Sequence, residues 1–293
     1  MAVQEKQVQN LAPCPVCGGA RRKYYQGDTA LAECPKCGLI ALAVIPTDAE
    51  RDAYYSQKYA LNHDIFQQET AAEMRRWSRM PEQIKLLRDI IALKQPPATI
   101  LDLGCDRAPF LDEARRFGYT VVGVEPSESA RKDAGKIGIP VVPHIDNIKQ
   151  VVDIAVLWHS LEHTGDPLAM LQSLHTLLTS DGIIAIRVPD FGSLWSRLLK
   201  HRWIWFQPEN HCYHFTVQSL KNVVERAGFE VITIRSQRPS NGLTRKAGAV
   251  AMKSFGRYMG EKTSLKRRLA MLYQYLTGIE VYVIAKKGNT ARR

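Results

Sequence analysis

The segment Thr99-Ile-Leu-Asp-Leu-Gly-Cys-Asp-Arg-Ala-Pro-Phe110 constrains this chain more than any other. An apolar run ends in an acid and then a glycine, a helical stretch follows, and a second apolar run, Val121-Val-Gly-Val-Glu125, ends in another acid. This pattern predicts a strand–turn–helix–strand unit with carboxylates at the carboxyl ends of neighbouring strands, where open α/β sheets bind ligands. Gly104 allows a sharp turn and close approach of the backbone. Glu125 is placed to accept hydrogen bonds from two vicinal ribose hydroxyls.

A nucleotide-like cofactor follows from that arrangement, and charge selects among the candidates. A dinucleotide fingerprint wants glycines that clear space for a pyrophosphate. Asp106 and Ala108 stand there instead, and a carboxylate at 106 repels a pyrophosphate. S-adenosylmethionine has no phosphate, and its ammonium and sulfonium suit acids at 102 and 106. The charge pattern therefore favours it over NAD or FAD.

Leu101-Asp-Leu-Gly-Cys105 with Gly123-Val-Glu-Pro-Ser127 resembles the first two motifs of class I S-adenosylmethionine-dependent methyltransferases. Trp158-His-Ser-Leu-Glu-His163 before Asp166-Pro167 resembles that family's motif after the fourth strand. His211-Cys-Tyr-His-Phe-Thr216, Ser219-Leu220 and Ala227-Gly-Phe-Glu-Val231 resemble the late region of its small-molecule branch. The resemblance covers roughly Thr99 to Arg235, with a last strand near Ile279–Lys286 that should enter antiparallel. It implies a Rossmann-like α/β fold, a seven-stranded sheet with helices on both faces. It also implies a cofactor site at Asp102, Gly104, Cys105, Asp106, Glu125, Pro126, Asp146, Trp158 and His159. Members usually carry glycine at the positions of Asp106 and Ala108.

Methyl transfer needs alignment and, for some acceptors, a base. His211, on the loop before a helix that Thr216 should cap, is the leading candidate. Sugar methyltransferases of this branch often place a Glu-His pair there, and Asn210-His211 stands at the matching place. His159, His214 and Tyr213 are further candidates, and His163 reads as structural. Asp190 either binds an acceptor hydroxyl or caps the next helix. Trp195, Trp203, Trp205 and Phe206 suit a sugar ring, a stacked base or a core.

Four of the six cysteines form Cys14-Pro-Val-Cys17-Gly and Cys34-Pro-Lys-Cys37-Gly. Two such knuckles supply four sulfur ligands, the set for a closed, structural zinc. Disulfides or a redox pair are the alternatives, and a reducing compartment argues against both. Cys105 should be a small buried residue in its turn, and Cys212 lies amid histidines.

The predicted organisation is a zinc ribbon over 1–45, a helical bridge or lid over 46–97 and a methyltransferase domain over 98–293. A basic, partly helical insertion occupies about 240–276. Arg235 to Arg268 contains ten basic residues against Glu261 alone, within a net charge of +11. That run either solvates a helix face or attracts phosphates, nucleic acid or an anionic membrane surface. The amino terminus lacks an apolar leader and no run approaches the roughly 18 apolar residues of a spanning helix, so a cytoplasmic protein is expected. The leading expectation is transfer to a small-molecule acceptor, a sugar or a phosphorylated, glycan- or lipid-linked precursor. An RNA methyltransferase gripping phosphates with the ribbon and basic run is the alternative, and a catalytically degenerate scaffold the second.

Overall fold

The computed structural model describes residues 11–26, 30–51, 53–54, 81–237 and 278–288. The tyrosines at 55 and 59, most of the helical bridge and the basic insertion lie outside them.

The ribbon contributes three strands, β1 (Arg22–Gln26), β2 (Ala30–Glu33) and β3 (Ile40–Leu42). Helix α1 (Pro81–Ile91) follows. Then come β4 (Thr99–Leu103), α2 (Pro109–Arg116), β5 (Thr120–Val124), α3 (Glu128–Lys136), β6 (Val141–Val142) and β7 (Val152–Trp158). The second half runs α4 (Pro167–Leu177), β8 (Leu178–Pro189), α5 (Leu194–Leu199), β9 (Tyr213–His214), α6 (Val217–Arg226), β10 (Phe229–Gln237) and β11 (Glu280–Lys287).

Seven strands form one sheet in the order β10-β11-β8-β7-β4-β5-β6. The pairs β4–β5, β4–β7, β5–β6 and β7–β8 are parallel, and β11 runs antiparallel to both β8 and β10. The central strands are apolar on both faces because both are covered. Alternation along β4 sends Ile100 to one core, with Leu87, Ile90, Leu111 and Ala114, and Leu101 to the other, with Leu171, Leu174, Leu220 and Val224. Local chemistry fixes the helix starts. Asp166 caps α4, accepting from the Leu168 and Ala169 amides at 2.9 Å ahead of Pro167. Thr216 and Ser219 exchange hydrogen bonds at the start of α6.

The smaller sheet was not foreseen in one respect. Its order is β1-β2-β3-β9, so the ribbon's last strand pairs with a two-residue strand from the histidine loop, Ile40 opposite His214 and Ala41 opposite Tyr213. The Leu42 amide adds a bond to the Cys212 carbonyl (2.9 Å), and the Asn222 side chain donates to the Cys37 carbonyl (2.9 Å). One apolar core is continuous from Leu31, Leu39 and Ile40 to Phe215 and Leu220.

Candidate active site

The parallel strands bring the loops after β4, β5, β7 and β8 to one edge. In the first, Gly104 turns at φ +75°, and a Cβ there would come within 2.8 Å of the Ser160 Cβ on the loop after β7. Asp106 and Ala108 take up φ values of +49° and +61°, the left-handed conformation for which glycine is the low-cost residue. The turn therefore keeps a glycine-like path with side chains on it.

Three carboxylates meet around this turn. Glu125, 5% exposed, accepts from the Asp106 amide (3.0 Å) and the Ser127 amide (2.9 Å). Asp102 is buried at the end of β4, and its Oδ1 has no protein partner. Burial, reinforced by Glu125 and Asp106, pushes the Asp102 carboxyl up to about 8. Burial raises Glu125 to about 7, against the pull of the Ser127 amide. Acids held this close to neutrality suit a cationic ligand that restores their charge. An ammonium, a sulfonium and ribose hydroxyls meet that need, so these residues fit S-adenosylmethionine. Pro126 is exposed beside Glu125, and Asp146 is exposed on the short turn after β6, at the same edge.

The loop after β7 carries a second group of charges. His159, at φ +50°, offers Nδ1 to Glu162 (3.2 Å) and Nε2 to Glu280 (3.0 Å), and its ring stacks on Trp205 at 4.8 Å. Arg187 pairs with the other Glu280 oxygen and lies 4.7 Å over the Trp158 ring. Burial alone would lower the His159 pKa, but the two carboxylates outweigh it and hold the imidazole near 9. The same contact holds Glu162 near 2 despite its burial. The raised pKa favours the imidazolium form of His159, with both nitrogens donating to carboxylates, an arrangement that opposes a role as general base.

The histidine loop follows β8. His211, 4% exposed, donates Nδ1–H to the Trp205 carbonyl (3.0 Å). Burial lowers it to about 4, so it is neutral at physiological pH and a weak proton acceptor. His214 is buried against Phe191 and Phe206 with neither ring nitrogen partnered, and burial lowers it to about 3. Tyr213 is buried and donates its hydroxyl to the Gly165 carbonyl at 2.7 Å. Burial raises its pKa further. In this structure His214 packs against aromatic rings and Tyr213 anchors its loop to the Gly165 carbonyl.

The family described as a methyltransferase domain matches residues 74–234, more than half of the 293-residue chain. The chain belongs to the methyltransferase-domain family. Among curated relatives, a ubiquinone biosynthesis O-methyltransferase of Actinobacillus pleuropneumoniae serotype 5b (strain L20) is 32% identical over 100 residues, 29% of this chain and 43% of that protein. The chain thus spans less than half the length of this relative. A magnesium protoporphyrin IX methyltransferase from Synechocystis PCC 6803 with bound SAH superposes with a TM-score of 0.53 at 14% identity. That match covers 81% of this chain and 98% of the other. An S-adenosylmethionine-dependent methyltransferase from Mesorhizobium loti gives 0.52 at 17% identity, over 72% and 100%. These structures share the Rossmann-like methyltransferase sheet.

Cys105 is buried in its turn, as the sequence suggests: a Cβ on Gly123 would lie 2.4 Å from its Sγ, so the thiol is packed inward onto the next strand. Asp190 accepts from the Gly192 amide (2.8 Å) and the Ser236 hydroxyl (2.5 Å), so it holds its turn while Ser193 caps α5. Glu280 and Arg187 were missed. Neither was legible in the sequence, because their ion pair joins strands 93 residues apart.

The four ribbon sulfurs lie within 4.8 Å of one another, with Cys14–Cys37 at 3.6 Å and Cys17–Cys34 at 3.4 Å. These separations are far longer than a disulfide's roughly 2.05 Å. They match the edge of a tetrahedron with Zn–S bonds of about 2.3 Å. Each knuckle is closed the same way, the amide of Gly18 on the Cys14 carbonyl and that of Gly38 on the Cys34 carbonyl, both at 2.8 Å. The residues fit zinc.

Proposed function

We propose that this protein transfers the methyl group of S-adenosylmethionine to a hydroxyl-bearing small molecule, a sugar or a glycan- or lipid-linked precursor. The observation that carries the reading is the trio Asp102, Asp106 and Glu125 at the carboxyl ends of adjacent parallel strands, with Asp102 and Glu125 held near neutrality by burial. When bound, the cofactor supplies a methyl already activated by positive sulfur. The chain's residues bind and orient it. Glu125, fixed by two backbone amides, keeps lone pairs for the ribose, and Asp102 and Asp106 face its cations. Trp158 and Trp205 supply aromatic faces near the loop where an acceptor ring would stack. The curated relative's name, an O-methyltransferase, supports oxygen as the acceptor atom.

We further propose a structural zinc at Cys14, Cys17, Cys34 and Cys37, in a ribbon over 1–45 that leads through a helical bridge over 46–97 into the catalytic domain over 98–293. Contact with RNA rests on the basic run, which beyond Arg235 lies outside the described residues. Steep weakening of RNA binding as salt rises would favour that acceptor.

Isothermal titration with S-adenosylmethionine tests the reading. Binding should be saturable, and Glu125→Gln should weaken it about tenfold or more, since a hydrogen bond to a charged acceptor contributes roughly 1.5–3 kcal/mol. Unchanged affinity in that variant would overturn the cofactor placement. Binding without methyl transfer to any hydroxyl acceptor would leave a scaffold instead.

A further inference from the structure

We propose that Glu162, His163 and His211 form a second metal site, for a divalent cation of borderline softness, next to the methyl donor. The ligand-capable atoms of the three side chains lie within 4.8 Å of one another. A cation at about 2.1 Å from each would draw them together by roughly an ångström.

The hydrogen bonds around the cluster select the atoms that would bind. His163 donates Nδ1–H to the Asn210 carbonyl at 2.8 Å, and His211 donates Nδ1–H to the Trp205 carbonyl at 3.0 Å. The His211 bond fixes the tautomer in which its Nε2 carries the lone pair, and both backbone bonds orient their rings as is usual for a metal-binding histidine. Glu162 is 1% exposed; its Oε1 is taken by His159, and its Oε2 is buried without a partner. Such an oxygen is costly unless something fills it.

The wider setting is that of a ligand shell. Glu162 and His163 come from the short turn after β7 and His211 from the loop before β9, so two separate loops converge. The His163–Asn210 bond ties them together. Behind Glu162, the chain of His159, Glu280 and Arg187 fixes the carboxylate as an outer shell would. Two imidazoles and one carboxylate leave coordination positions open, a set suited to Fe2+, Co2+, Mn2+ or Zn2+.

This assignment deepens the methyl-transfer reading and rests on it only for the acceptor's place. An acceptor hydroxyl on an open position loses its proton to solvent at a lower pH than when free. Its oxygen lone pair would then form the new O–CH3 bond as the C–S bond breaks, and the electron pair of the broken C–S bond would stay on sulfur, leaving a neutral thioether. His211 thereby acts as a ligand, and no basic side chain is needed.

The test uses the full chain with zinc already at the cysteines. Titration with Co2+ should show one further ion per chain, with ligand-field bands of a nitrogen–oxygen site and no thiolate charge-transfer absorption. His211→Ala and Glu162→Gln should each weaken that uptake about tenfold or more. No second ion, or uptake unchanged in both variants, overturns the proposal. Should a variant fail to fold, cadmium-113 resonance of the wild-type protein decides. A thiolate signal with a second nitrogen–oxygen signal supports the site, and a thiolate signal alone removes it. S-adenosylmethionine affinity on the same samples tests the methyl-transfer reading separately.

Discussion

At the scale of single residues, the chain keeps the backbone of a glycine-rich turn while changing its side chains. Ala108 is fully buried at φ +61° and closes the turn through its amide on the Cys105 carbonyl at 2.8 Å. An alanine in that conformation costs roughly 1–2 kcal/mol, part of which a glycine would lose again to the freedom of the unfolded chain. Ala108→Gly should therefore stabilise the protein by about 0.5–1 kcal/mol in urea denaturation. The acids make a second prediction. Asp102 near 8 and Glu125 near 7 are partly protonated without ligand, and a cationic cofactor binds their charged forms. Affinity should rise from pH 6 towards pH 8 with net proton release, seen as a buffer-dependent enthalpy. It should level off as the ligand's own α-amino group, ordinarily near 8, loses its proton. These acids were legible in the sequence because strand periodicity and the position of an acid are local. The partner of His159 was not, because Glu280 lies 121 residues away.

At the scale of elements, the strands and helices of the catalytic sheet follow from patterning. The central strands are continuous apolar runs, and Asp166-Pro167 and Thr216 mark helix starts. What patterning could not show is β9. Two residues carry no period, and a strand that short exists only because β3 offers it an edge. The consequence is mechanical. The cysteine knuckles hold β3, β3 holds Tyr213 and His214, and His211 precedes them. Replacing Cys37 with serine, which removes one sulfur of the proposed zinc site, should loosen the histidine loop while sparing the carboxylate crevice. Methyl transfer should fall about tenfold or more, with S-adenosylmethionine affinity within about threefold, under 1 kcal/mol. Parallel losses of both would show instead that the ribbon supports the whole domain.

At the scale of the molecule, the antiparallel strand that closes the sheet also closes its charge network. β11 lies between β8 and β10 and carries Glu280 to the tips of β7 and β8, where it meets His159 and Arg187. Two cations and the carboxylates of Glu162 and Glu280 balance in a buried setting, so removing one strands another. The sheet order could be anticipated from the order of motifs, whereas this balance depends on residues from three separated strands. It also gives the fold a signed pH dependence. The His159 pKa is raised from its ordinary 6.5 to about 9, so the native state holds that proton more tightly than the unfolded chain. Its contribution is complete below about pH 6.5 and is lost as pH rises through 9. About a fifth of the side chain is exposed (21%), which reduces the effect of the shift to roughly 2 kcal/mol. Thermal unfolding between pH 6 and 9.5 should therefore show a loss of about that size in the wild-type protein, beyond the general trend. His159→Asn, which cannot titrate, should start less stable and run flatter. Curves that stay parallel across the range would mean that the imidazole is already neutral at pH 7 and that the carboxylates beside it are held by other groups.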